Sequence, residues 1–99
     1  MKQKEKTVVN RIIKALRLRK LYVRKMHGGP YMQPGIPDLL VIVRGLYVGL
    51  EVKLPGAKLS HAQEAAHRRI KEAGGIVAVV HDVEEALAVV DRLPPDFEL

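Results

Sequence analysis

Two carboxylates and a lysine interrupt the most apolar stretch of this chain. Asp38 stands beside Pro37 at the head of Leu39-Leu40-Val41-Ile42-Val43, and Glu51 and Lys53 flank Val52. On a strand, side chains two apart project from one face, so Glu51 and Lys53 act from the same side. Arg44-Gly45 between the two runs is a tight-turn signal, and a hairpin closed there brings Asp38 back beside Glu51. Clustered carboxylates hold hard divalent cations such as Mg²⁺ or Mn²⁺. Such an ion polarises a phosphoryl group and acidifies water, and an ammonium close by orients the nucleophile or stabilises developing charge. The chemistry of this trio would be hydrolysis of a phosphodiester. Each part has a plainer use. An Asp after proline is often a turn residue, and Glu-x-Lys on a strand is often a solvated ion pair. It is the combination, charges in an apolar hairpin opposite a loop rich in Gly and Pro, that marks a functional site.

The elements that must position these residues follow from periodicity. Val8, Val9, Ile12, Ile13 and Leu16 recur at helical spacing, with Lys4, Lys6, Arg11, Lys14 and Arg17 on the other faces, so a helix is expected over about 4–19. Leu21 to His27 reads as a strand, and 28–36 as a loop. Pro37 to Val43 reads as a strand whose Leu39-Leu40-Val41-Ile42-Val43 is apolar throughout, which predicts cover on both faces. Leu46 to Leu54 alternates, with Tyr47, Gly49, Glu51 and Lys53 on one side. Ser60 opens a helix as a capping box with Gln63, and Ala62, Ala65, Ala66, Ile70 and Ala73 give it a narrow packing face, closed by Gly74-Gly75. Ile76 to Val80 is expected to be a buried strand, parallel to a central one through a right-handed crossover. Asp82 caps a last helix, Glu85 completes a second box, Ala86, Leu87, Val89, Val90 and Leu93 bury it, and Pro94-Pro95 ends it. The expected fold is α/β, one mixed sheet flanked by helices.

At 99 residues the chain is read as a single domain, 1–99, with no repeat. Lys and Arg outnumber Asp and Glu by 17 to 11, for a net charge of +6 and a pI of about 9.8. That balance favours a polyanionic partner, nucleic acid first and an anionic membrane surface second. There is no cysteine, which excludes disulfides and thiolate metal sites. The charged N-terminus resembles no secretory signal, and no apolar run approaches a membrane span, so an intracellular, cytoplasmic location is expected. The four histidines have no metal-ligand spacing; His61 and His67, six apart, fall on different helical faces. His27 is a candidate phosphate contact near the loop, although a strand-end histidine is more often simply solvated. The loop lacks the Gly-Lys-Ser/Thr of a nucleotide P-loop. Lys25, Tyr31, Lys58, Arg68 and Arg69 are candidate backbone contacts, with Tyr31 placed to stack on a base. Four aromatics are too few for a single-strand-binding platform.

Gly35-Ile36-Pro37-Asp38-Leu39-Leu40 followed by Gly49-Leu50-Glu51-Val52-Lys53 resembles the PD-(D/E)xK nuclease superfamily, and more narrowly its virus-type replication-repair nuclease (VRR-NUC) domain. Ser60-His61-Ala62-Gln63 sits where that family places a Gln, and Glu5 is the only acidic residue before Asp38. The resemblance spans roughly residues 5–90. It implies a restriction-endonuclease-like α-β-β-β-α-β core, with Mg²⁺ or Mn²⁺ held by Asp38, Glu51 and the Val52 carbonyl. Lys53 would position the water, Gln63 would touch the scissile phosphate or orient Lys53, and Glu5 would assist through water. Lys25, Tyr31, Lys58 and Ser60 are the expected nucleic-acid contacts. Small members of the family are similar to Holliday-junction resolvases, which implies a homodimer acting on branched or duplex DNA. Capping alone would account for Gln63, and the helix dipole for Glu5. The expected activity is metal-dependent DNA endonuclease, structure-selective because contacts to phosphates carry no sequence information. The alternatives are a non-catalytic nucleic-acid-binding module on the same fold and a protein-interaction domain with a basic surface.

Overall fold

The computed structural model describes residues 2–26 and 34–93; His27, Tyr31 and Pro94-Pro95 lie outside the described residues. The elements are α1 (Lys2–Leu18), β1 (Tyr22–Lys25), β2 (Leu39–Val43), β3 (Leu46–Val52), α2 (His61–Glu72), β4 (Ile76–Val80) and α3 (Val83–Asp91). The strands form one sheet in the order β1-β2-β3-β4. β1–β2 and β2–β3 pair antiparallel, and β3–β4 pair parallel. This is the expected α-β-β-β-α-β order followed by the expected last helix, in a mixed sheet flanked by helices.

The β2–β3 hairpin sets the geometry. Its two turn residues, Arg44 and Gly45, both have left-handed φ (50° and 83°), the turn geometry whose twist matches that of the flanking strands. Leu39 then pairs with Leu50, and Leu40 with Gly49. Cross-strand partners share a face. Leu39, Val41 and Val43 therefore lie with Val48 and Leu50 against Val9, Ile12 and Leu16 of α1 and Ala86 and Val90 of α3, in one apolar core. The opposite face carries Leu40, Ile42, Tyr47, Gly49 and Glu51 and receives α2. An exposed ion pair between Arg19 and Asp91 ties the end of α1 to the end of α3.

Three expectations change. β4 is an edge strand, so it is only partly buried, and Val79 is 38% exposed. The small-residue stripe of α2 packs only in its middle: Ala65, Ala66 and Ile70 are half-buried, Ala62 and Ala73 are exposed, and the most buried residue of that helix is His67. The second capping box is one-sided. Asp82 accepts from the Glu85 N–H, but the Glu85 carboxylate takes its bonds from His81, the backbone N–H at 2.9 Å and Nδ1 at 2.8 Å. The Ser60–Gln63 box is reciprocal as expected.

Two glycines allow backbones to close in around the face that carries Glu51. Gly35 has φ of 88°, and a Cβ there would lie 2.2 Å from the Ala62 carbonyl oxygen and 2.8 Å from the Gln63 nitrogen. The loop before β2 thus rests on the first turn of α2. A Cβ on Gly49 would lie 2.9 Å from Cγ of Pro37, so bare backbone in β3 lets Pro37 cross over it. Gly35→Ala combines backbone strain with a clash against main chain, and it is expected to destabilise the fold by about 2 kcal/mol or more. For a domain this size that lowers Tm by roughly 8–16 °C. Gly56→Ala also has a left-handed φ but meets nothing within 4 Å, and should cost visibly less. Thermal unfolding of the two variants side by side checks the difference.

Candidate active site

Continuing the β2–β3 register beyond Leu39 and Leu50 sets Asp38 across from Glu51 and Pro37 across from Val52. Asp38 Oδ2 accepts the Val52 N–H at 2.8 Å, and the Asp38 carbonyl accepts the Met26 N–H at 2.8 Å. In a strand the N–H and C=O of one residue point the same way, so the Val52 carbonyl also faces β2. The residue across from it is a proline, which has no N–H to donate. A carboxylate pair and a carbonyl without a ladder donor therefore converge where the hairpin opens.

Glu51 is only 1% exposed although it is ionisable. Both of its oxygens are held from α2. Gln63 Nε2 donates to Oε2 at 3.3 Å, and His67 Nε2 lies 3.1 Å from Oε1. Burial first, then the hydrogen bond and negative charge of Asp38, push the Glu51 pKa up to about 8; Lys53 opposes the shift and Glu5 adds to it. Burial, with help from Lys71, holds His67 below its ordinary value. The shift favours the neutral imidazole, whose Nε2 shares a hydrogen bond with the Glu51 carboxyl group.

The trio expected from sequence is brought together. Lys53 lies just past β3, half-buried, its N–H bonded to the Val80 carbonyl at 3.0 Å and its charge felt by Glu51. Gln63 does two things at once: Oε1 accepts the Ser60 N–H while Nε2 reaches Glu51. Glu5, half-buried in the first turn of α1, is close enough for its charge to act on Glu51. Lys58 and Ser60 are exposed at the entrance to α2, with the Ser60 hydroxyl engaged by the Gln63 N–H. Lys25 pairs with Leu39 and so falls on the sheet face away from Asp38. Arg68 and Arg69 are exposed on α2.

His67 was missed by a reading that asked only for metal-ligand spacing. Its signal was present: it lies four residues after Gln63, and residues i and i+4 share a helix face. Among the described residues no three His, Cys, Asp or Glu side chains form a metal-holding group. An ion here would need backbone and water oxygens besides Asp38 and Glu51. Two adjacent carboxyl groups and the Val52 carbonyl suit a hard, oxygen-seeking divalent cation.

Residues 2–84 match the family model of the VRR-NUC domain. A solved structure of a VRR-NUC domain aligns with a TM-score of 0.75 and 28% identity, over 90% of this chain and 96% of the other. A second, of a VRR-NUC domain protein, shares the fold with a TM-score of 0.62 and 20% identity, over 72% of this chain and 65% of that one. No curated protein matches the chain.

The buried carboxyl has a measurable consequence. The folded pKa of Glu51 lies above its ordinary 4.5, so the folded state keeps a proton that the unfolded chain releases. The native state is then penalised progressively as pH rises from about 5 to about 8. Without divalent metal, wild type should lose stability relative to Glu51→Gln across that window, by an amount on the order of a few kcal/mol. Urea unfolding at a series of pH values checks this; parallel curves for the two proteins would contradict it.

Proposed function

The chain belongs to the VRR-NUC domain family, a nuclease-type domain, and from that premise we propose that it is a divalent-metal-dependent endonuclease acting on DNA, selective for branched or otherwise structured substrates. The observation that carries the reading is Glu51: an almost fully buried carboxyl group, beside Asp38 and followed by Lys53, held on both oxygens. A carboxyl placed so is costly to a small fold, and a bound cation is what would make it useful.

Asp38, Glu51 and the Val52 carbonyl would hold Mg²⁺ or Mn²⁺. When bound, the ion supplies Lewis acidity to the phosphoryl oxygens and to water. The remaining work falls to side chains. Gln63 Nε2 and His67 Nε2 keep the plane of the Glu51 carboxylate fixed, the outer support that metal-ligating carboxylates require. The Val52 N–H does the same for Asp38. The Lys53 ammonium orients the attacking water and stabilises negative charge on the phosphate. Selectivity for structure is supported by the net charge of +6, since charge reads phosphates and not bases. A two-fold dimer, proposed on size and family resemblance, would set two such sites on one junction.

The test is cleavage of branched and flapped DNA with Mg²⁺ or Mn²⁺. Asp38→Ala and Lys53→Ala are expected to lose about 10²–10³-fold in rate. Gln63→Ala and His67→Ala should weaken Mn²⁺ binding by about 10–100-fold in calorimetry. Equal cleavage by wild type, Asp38→Ala and Lys53→Ala would sink the reading. Binding without cleavage by wild type would leave a nucleic-acid-binding module.

A further inference from the structure

We propose that the exposed edge of the sheet at β1, with Tyr22 and Arg24 on the catalytic face, is the docking track for the unpaired nucleic-acid strand flanking the cleavage point. The inference rests on the nuclease reading above and adds where the substrate lies. Tyr22 pairs with Ile42 and Arg24 with Leu40, and the Met26 N–H bonded to the Asp38 carbonyl carries the same register one step further. Tyr22, Arg24 and Asp38 therefore share a sheet face. With strands about 4.8 Å apart and two residues advancing about 6.8 Å, the Cα atoms of Arg24 and Tyr22 stand roughly 8 and 14 Å from that of Asp38. The two side chains lead away from the site in a row.

α2 packs over β4 and Glu51, at the other end of this face. Tyr22 is 57% exposed, Arg24 is exposed, and neither forms a side-chain hydrogen bond or ion pair among the described residues. A large aromatic at that exposure is unusual in a chain with only four aromatics. No acidic residue lies between Glu5 and Asp38, and the exposed bases flanking Tyr22 are Lys20 and Arg24. Residues 2–25 as a whole hold ten Lys and Arg against the single acid Glu5, but those of α1 lie over the opposite sheet face, so the local positive charge on this edge is that of Arg24 and Lys20. The occupant this edge complements is a polyanion with flat faces. Arg24 offers a planar fork of donors to a phosphate, and Tyr22 offers a ring on which a base stacks. A base inside a duplex is already stacked on both sides, so Tyr22 serves unpaired nucleotides and contributes a preference for substrates that have them beside the cut.

The full chain and its Tyr22→Ala, Tyr22→Phe and Arg24→Ala variants are compared by fluorescence anisotropy on labelled 5′-flap, 3′-flap and blunt duplex DNA over a range of NaCl. Tyr22→Ala should weaken binding to at least one flap about 10-fold, while its duplex binding and salt slope stay as in wild type. Tyr22→Phe should retain flap binding, because stacking needs only the ring. Arg24→Ala should weaken binding and reduce the salt slope by roughly 0.7. Alanine variants that bind both flaps within twofold of wild type overturn the proposal. If they do so while Asp38→Ala abolishes cleavage, the docking track fails and the nuclease reading stands. A wild-type protein that neither binds nor cuts any of these DNAs overturns both.

Discussion

A carboxyl group in the interior strand of a sheet, touching a second carboxyl group, is tolerated only if its charge is neutralised or fully solvated by protein donors. Desolvation of an ion costs several kcal/mol, comparable to the whole stability of a small domain. Glu51 meets that constraint through a retained proton, a hydrogen-bond partner from α2 on each oxygen and the ammonium of Lys53. The other half of the fold compensates. On the opposite sheet face Leu39, Val41, Val48 and Leu50 pack without a polar atom against α1 and α3. The sheet thus divides its work: one face supplies stability, and the other holds a cluster that subtracts from it.

The residues around the cluster that carry no chemistry are there for approach. Gly35 lets the loop before β2 lie on the backbone of Ala62 and Gln63, and Gly49 lets Pro37 cross β3. Pro37 in turn withholds a ladder hydrogen bond from Val52. Gln63 then joins two structures with one amide, closing the cap of α2 and reaching Glu51. The start of that helix and the state of the carboxyl group are mechanically linked through a single side chain.

Much of this was legible in the sequence because it depends on local rules. Alternation set Glu51 and Lys53 on one face, the Arg44-Gly45 turn returned Asp38 to them, and Ser60 and Gln63 announced a box that formed as written. What stayed hidden depended on partners distant in the chain. His67 is a polar residue on a helix until Glu51 arrives beneath it. The alanine stripe of α2 forms only part of the packing face, and His67 is buried deeper than its alanines because its ring meets Glu51. Glu85 has the spacing of a capping box, yet His81 competes for its carboxylate and wins. Lys25 and Arg24 are equivalent bases in the sequence, and only the pairing of β1 with β2 decides which of them shares a face with Asp38.

The hairpin is also a ruler. Asp38 and Glu51 meet because the residues between them divide evenly about a two-residue turn. Side chains on a strand alternate with period two, so one residue inserted or deleted in either arm turns the strand's ionisable residue to the other side, under α1, among aliphatic neighbours. Such an indel would leave Asp38, Glu51 and Lys53 in the text while dissolving their cluster. The length of this stretch is therefore as much a part of the cluster as its composition, and members of the fold should drift in the identity of Leu40 or Ile42 far more readily than in the number of residues separating the two acids.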